Sequence, residues 1–202
     1  MAKEININSD FIEYKKAFLE ENTKHNLISK NDEKFLYEKH IYDSLAIRLF
    51  FEKYNIKKAQ VLDIGCGGGF PCLPVANEFP EMKIVGIDSI RKKISSVQTI
   101  ADKIRLSNLE LICDRVENIH NKKFDVVISR AVADMAKISE YALPLVKKGG
   151  YFVAYKSKKA LQELENAKMI LKKYNSEVVE IIEYTLPLEE IYERNLICVK
   201  RK

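Results

Sequence analysis

A chain of 202 residues that is 47% hydrophobic and 31% charged is long enough to bury one core, and its balance excludes wholesale disorder, a collagen-like repeat and a disulfide miniprotein. Its 34 basic against 29 acidic residues leave a charge of +5, with eight lysines and two glutamates in Lys147–Lys173, a bias that suits a polyanion or, equally, a solvated face. No apolar run approaches the roughly 20 residues that span a bilayer, the first ten residues lack a signal-peptide core, and Cys66, Cys72, Cys113 and Cys198 lack zinc-site spacing; the expectation is a cytoplasmic protein with reduced cysteines, no metal and no membrane.

Residues 1–58 read as helices, with Asp10 and Glu13 spaced as a capping box and Asn31 as a second cap. Phe11, Tyr14, Phe18, Leu27, Phe35 and Leu45 need burial, so this segment is expected as a helical cap on a main domain spanning 59–202. Five near-continuous apolar runs follow: Gln60–Ile64, Lys83–Asp88, Leu109–Asp114, Phe124–Ser129 and Gly150–Lys156, the pattern of strands buried on both faces. Between them Ile90, Ile94, Val97, Ala101 and Ile104 form one helical stripe, and Met135–Leu145 and Leu161–Tyr174 repeat it less cleanly. Strand–helix alternation predicts an α/β fold with a parallel sheet and right-handed crossovers. Two last strand candidates, Glu177–Tyr184 and Asn195–Lys200, have no helix between them and should pair antiparallel at the edge of this seven-stranded sheet.

The strongest local signal is Asp63-Ile64-Gly65-Cys66-Gly67-Gly68-Gly69, placed after a strand and before a helix opened by Pro71 and Pro74. Bare main chain at Gly65 and Gly67 lets a ligand lie close, beyond the carboxyl end of the first strand. A dinucleotide fingerprint would require glycine at position 70, which is Phe70. An acid just before the glycines suits a cationic amino-acid ligand and repels a pyrophosphate, which favours S-adenosylmethionine over NAD. Asp88 then ends the second strand, where a carboxylate can accept both ribose hydroxyls; Asp114, Val116 and Glu117 follow the third, near an adenine edge; Arg130 ends the fourth, nearest the methyl and its acceptor.

Asn26-Leu27, Lys39-His40-Ile41-x-Asp43-Ser44-Leu45, Leu62-Asp63-Ile64-Gly65, Phe70-Pro71, Asp88-Ser89 with Lys92-Lys93, Arg115-Val116-Glu117, Ser129-Arg130-Ala131 and Leu143-Pro144 occur in that order. Together they resemble the ribosomal small-subunit methyltransferase G family, also called glucose-inhibited division protein B. The resemblance implies a Rossmann-like class I fold and methyl transfer from S-adenosylmethionine to N7 of one guanine in bacterial 16S ribosomal RNA. It places cofactor contacts on Gly65, Phe70, Val116, Glu117 and Arg130. Cys66 stands where a hydroxyl residue is common, which removes any hydroxyl contact there; Cys72 and Ile28 also depart from the family pattern.

The chemistry agrees with the residues. Guanine N7 carries a free lone pair, so its methylation needs no general base. A cytosine-C5 methyltransferase would need a cysteine after the fourth strand, and an exocyclic-amine enzyme an N/D-P-P-Y/F turn; this chain has Ser129-Arg130-Ala131-Val132. Positioning is therefore the expected means of catalysis, with Arg130, His40, Asp43 and Ser44 as candidates. Arg91, Lys92, Lys93, Lys122, Lys123 and the Lys156-Lys158-Lys159 cluster are the expected contacts to 16S RNA or a small-subunit precursor particle. Two alternatives stay open: a methyltransferase of this fold acting on another RNA, a protein or a small molecule, and a non-enzymatic RNA binder with a vestigial cofactor site.

Overall fold

The computed structural model describes residues 5–157 and 162–202. Among them, seven strands form one sheet: β1 (Gln60–Ile64), β2 (Lys83–Asp88), β3 (Leu109–Cys113), β4 (Phe124–Arg130), β5 (Val146–Ser157), β6 (Ser176–Leu186) and β7 (Tyr192–Arg201), in the order β3-β2-β1-β4-β5-β7-β6. The first five pair parallel, and β7 runs antiparallel between β5 and β6. The final hairpin thus inserts its second strand into the sheet and leaves β6 at the edge.

Alternate residues sort to opposite faces, as the period of two requires. Val61, Val126 and Val153 join one apolar cluster, while their neighbours Leu62, Val127 and Ala154 join another. The first face is covered by α1 (Ile12–His25), α4 (Ile47–Lys53), α5 (Cys72–Glu78) and α6 (Arg91–Lys103); the second by α7 (Met135–Ala142) and α8 (Glu163–Lys173). Phe11, Tyr14, Phe18 and Leu45 are buried in the same cluster as Val61 and Ile84 of the sheet, so the N-terminal helices share the core of the strands they cover.

Local departures have physical causes. Neither expected cap forms: α1 starts after Phe11 with Asp10 Oδ1 accepting from the Ile12 amide at 2.8 Å instead of closing a box with Glu13, and α2 (Lys30–Glu33) is capped by Ser29, whose hydroxyl accepts from Asp32 N, rather than by Asn31. Residues Leu36–Tyr42 wind as a π-helix that runs into α3 (Asp43–Leu45), and this continuous helical segment carries His40, Asp43 and Ser44. Strand β5 begins at Val146, ahead of the predicted Gly150, because the Gly149–Gly150 pair lies within the strand near a register break rather than at its boundary. On α6 the stripe narrows to Ile94, Val97, Ile100 and Ala101; Ile90 stays 47% exposed. Among the described residues no helix is long and apolar enough to cross a membrane.

Candidate active site

The carboxyl ends of β1, β2, β3 and β4 open into one cavity of about 660 Å³. Its floor is the loop after β1. Gly65 and Cys66 donate their amides to Ile87 O at 2.8 and 3.0 Å, and Gly69 and Phe70 donate to Cys66 O, which winds the loop into a tight turn. Gly67 sits at φ +54°, in the left-handed region, and a Cβ there would find only Gly65 O, 3.8 Å away. Gly68 is constrained differently: a Cβ would stand 3.0 Å from Leu27 O, so its bareness admits the N-terminal segment rather than a ligand. Gly65, Gly67 and Phe70 all line the cavity.

The two aspartates that flank the loop play different parts. Asp63 is wholly buried and does not line the cavity, contrary to the expectation that it faces a cationic ligand. Its Oδ2 accepts from the Cys72 amide at 2.9 Å, at the start of α5, and burial pushes its carboxyl up to about 7 despite that bond and the charge of Arg130. Asp88 does line the cavity, with Oδ2 accepting from Gly67 N and Oδ1 from Ile90 N, both at 2.9 Å. Each oxygen keeps a lone pair for a ligand hydroxyl. Across the mouth, Val116 and Glu117 lie in a 3₁₀ turn on the cavity wall, and Asp114 braces that turn through Arg115 N at 2.7 Å and Asn118 Nδ2 at 2.6 Å.

Arg130 closes the opposite end. Its Nη1 donates to Asp43 Oδ2 at 2.8 Å and to Lys39 O at 3.1 Å, its Nη2 donates to His40 Nδ1 at 3.0 Å, and its guanidinium lies 5.3 Å from the Phe70 ring centroid. Because arginine only donates, His40 carries its proton on Nε2; burial and then the Arg130 charge pull its pKa down to about 4, so the ring is neutral at physiological pH. Asp43 is fully buried and accepts from Tyr184 Oη at 2.6 Å and Arg194 Nη2 at 3.1 Å. Burial alone would raise its carboxyl, but Arg130 and Arg194 outweigh it and hold the group below the usual carboxylate range. Ser44 is buried too, donating to His40 O at 2.6 Å. Of the four positioning candidates, Arg130 and His40 line the cavity, while Asp43 and Ser44 stand behind them.

The basic candidates separate as well. Arg91 and Lys92 are exposed at the start of α6, and Lys93 lines the cavity. Lys122 and Lys123 sit at the amino ends of the strands, beside Gln60 and Lys83 and at the end of the sheet opposite the cavity, with Lys122 3.7 Å from Glu110 and Lys123 donating to Pro144 O. They do not share a surface with Arg91–Lys93. Lys156 is only 13% exposed and donates to Ala133 O at 2.6 Å and Glu163 Oε2 at 2.8 Å, which removes it from the free cations. Lys158 and Lys159 lie outside the described residues. Among the described residues no cluster of three metal-ligating side chains occurs.

Some of the site escaped sequence reasoning. Leu27, Ile28, Ser29 and Asp32 wall the cavity from the N-terminal segment, and Arg115 joins Lys93 at its rim. The Asn26-Leu27 motif was a signal for the wall; nothing in the apolar run of β7 marked Arg194 as the second partner of Asp43.

Parallel sheet, inserted antiparallel strand and glycine-floored cleft together define the class I methyltransferase fold. The fold superposes on the magnesium protoporphyrin IX methyltransferase of Synechocystis PCC 6803, solved with bound SAM, with a TM-score of 0.66 at 15% identity, covering 96% of this chain and 99% of that one. It also superposes on the N-methyltransferase NodS of Bradyrhizobium japonicum WM9, in complex with S-adenosyl-L-homocysteine, at 0.62 and 14%, covering 92% and 98%. In sequence, the chain is 40% identical over 197 residues to the ribosomal RNA small subunit methyltransferase G of Oceanobacillus iheyensis, covering 95% of this chain and 82% of that protein. The Staphylococcus aureus (strain Newman) protein of the same name is 38% identical over 196 residues, with 95% and 81% covered. A family model described as rRNA small subunit methyltransferase G matches residues 7–194. The chain belongs to that family.

Proposed function

We propose that the protein transfers the methyl group of S-adenosylmethionine to N7 of a guanine in 16S ribosomal RNA, free or within a small-subunit precursor particle in the cytoplasm. The observation that carries this reading is the single cleft in which open main chain at Gly67, a ribose-side carboxylate at Asp88 and the fixed guanidinium of Arg130 meet. The residues fit the cofactor: a Cβ at Gly67 would project into open space, Asp88 has acceptor capacity left, Val116 and Glu117 stand where a base edge would rest, and 660 Å³ is ample for a nucleoside. S-adenosylmethionine, when bound, supplies an electrophilic methyl group on a cationic sulfur.

What the chain contributes is placement. Guanine N7 attacks through its own lone pair, so no residue has to remove a proton. His40 is neutral and committed to Arg130 through Nδ1, consistent with a scaffold rather than a base. Arg130, braced by Asp43, Lys39 O and the Phe70 ring, holds the wall where cofactor and acceptor meet. Closing two reactants into this walled cleft removes water and orients the methyl for in-line attack. Arg91, Lys92, Lys93 and Arg115, near or on the cavity rim, are the cations positioned to take RNA phosphates there.

The test is incubation with labelled cofactor and small-subunit RNA from cells lacking the modification, followed by cleavage chemistry selective for N7-methylguanine. One labelled, cleavable guanine is the expected result. Label incorporated without cleavage would move the methyl to another atom, and no label in either RNA or precursor particle would overturn the reading.

A further inference from the structure

We infer that Lys156 and Glu163 form a latch that positions the segment after β4 against the glycine loop, and so govern the rate of methyl transfer without contacting RNA. The inference rests on the methyltransferase reading above. Lys156, near the end of β5, donates from Nζ to Ala133 O at 2.6 Å and to Glu163 Oε2 at 2.8 Å. That same Glu163 oxygen, at the start of α8, accepts from the Met135 amide at 2.7 Å. Main chain on both sides of Asp134 is therefore gripped from outside, by a cation on one side and its counter-ion on the other, while Asp134 itself caps α7 through Lys137 N at 2.9 Å.

What the latch holds is the cavity wall. Ala131 sits at φ +57°, a conformation that a residue with a side chain keeps only where its surroundings over-determine it. Next to it, the Val132 side chain comes within 2.6 Å of where a Cβ on Gly65 would lie, so this segment leans directly on the cofactor loop, and Ala131 and Val132 both line the cavity. Their positions relative to Arg130 and Gly65 depend on what anchors Ala133 and Met135. A lysine at 13% exposure, with two of its three donors engaged and its charge already paired with Glu163, is poorly placed to serve as a phosphate contact.

Single-turnover methylation, calorimetry with S-adenosylmethionine, RNA binding at several salt concentrations and amide hydrogen exchange, applied to the wild type, Lys156→Met, Lys156→Arg and Glu163→Gln below their unfolding temperatures, decide the point. Lys156→Met and Glu163→Gln should lower the single-turnover rate by about 10- to 100-fold, the scale of a misplaced reacting group. RNA affinity and its salt slope should stay those of the wild type, and Lys156→Arg should recover most of the rate. Exchange across residues 131–135 should speed up in the two slow variants even without RNA. A salt slope lower by about one in Lys156→Met, with an unchanged rate at saturation, would make Lys156 a phosphate contact and overturn the latch. Unchanged exchange in that segment would overturn it too, whereas a wild type that fails to methylate while exchange responds as expected would overturn the methyltransferase reading alone.

Discussion

Asp88 Oδ2 and the Gly67 amide lie 2.9 Å apart, so the carboxylate proposed to hold a ribose also fixes the turn on the cavity floor. Its two functions respond differently to substitution. Asp88→Ala removes the proposed ribose acceptor and frees the Gly67 and Ile90 amides together, and should weaken S-adenosylmethionine binding by about ten-fold or more, the worth of at least one charge-assisted bond. Asp88→Asn keeps one acceptor oxygen and should lose less. Calorimetry on both variants checks the order, and equal losses would remove the loop-shaping part.

The glycines should separate in the same assay. Gly67→Ala places a methyl in open cavity space at positive φ, so it should lower cofactor affinity while costing about 1–2 kcal/mol of stability. Gly68→Ala meets Leu27 O and Cβ at 3.0 and 3.1 Å and should act through the N-terminal segment, loosening residues 26–29 by hydrogen exchange.

Asp43 anchors two guanidinium groups and a tyrosine from a fully buried position. Asp43→Asn leaves Arg130 and Arg194 without their counter-charge and should cost roughly 3–5 kcal/mol in urea unfolding. Since the folded pKa is depressed, its contribution is complete above the unfolded value near 4 and is lost as pH falls through the folded one. The wild type should therefore lose stability below about pH 4 more steeply than the variant.

Asp63 carries the opposite sign. Its folded pKa is raised to about 7, chiefly by burial, so its favourable contribution is present at low pH and disappears as pH rises through that value. Asp63→Asn retains an oxygen for the Cys72 amide and removes the charge. Measured against the wild type by urea unfolding, the variant should gain roughly 2–3 kcal/mol between pH 5 and pH 8. A difference independent of pH would mean that Asp63 is ionised throughout.

Strands buried on both faces were legible because a period of two and continuous apolar runs survive in any context; β1 and β2 match their predicted limits residue for residue. The glycine loop was legible because bare residues between a strand and a helix mark a close approach at the carboxyl end of β1, and Phe70 breaks a dinucleotide fingerprint; the acid before the glycines was a false guide, since Asp63 lies outside the cavity. Burial was not legible. Asp63, Asp43 and Ser44 read as site residues because their polarity is visible and their depth is not. Lys156 read as a free cation for the same reason: its partners Ala133 and Glu163 come from other elements, and only the fold brings them within 2.8 Å. The separation of Lys122 and Lys123 from Arg91–Lys93 required knowing which ends of the strands face the cleft.

Asp43 waits for partners that lie 87 and 151 residues further along the chain. At about 5–20 residues per second, a translating ribosome makes this acid roughly 8–30 s before Arg194. Its first counter-charge, Arg130, follows roughly 4–17 s after it, and the second arrives only with β7, so this corner of the cavity completes its charge balance long after its acid is made.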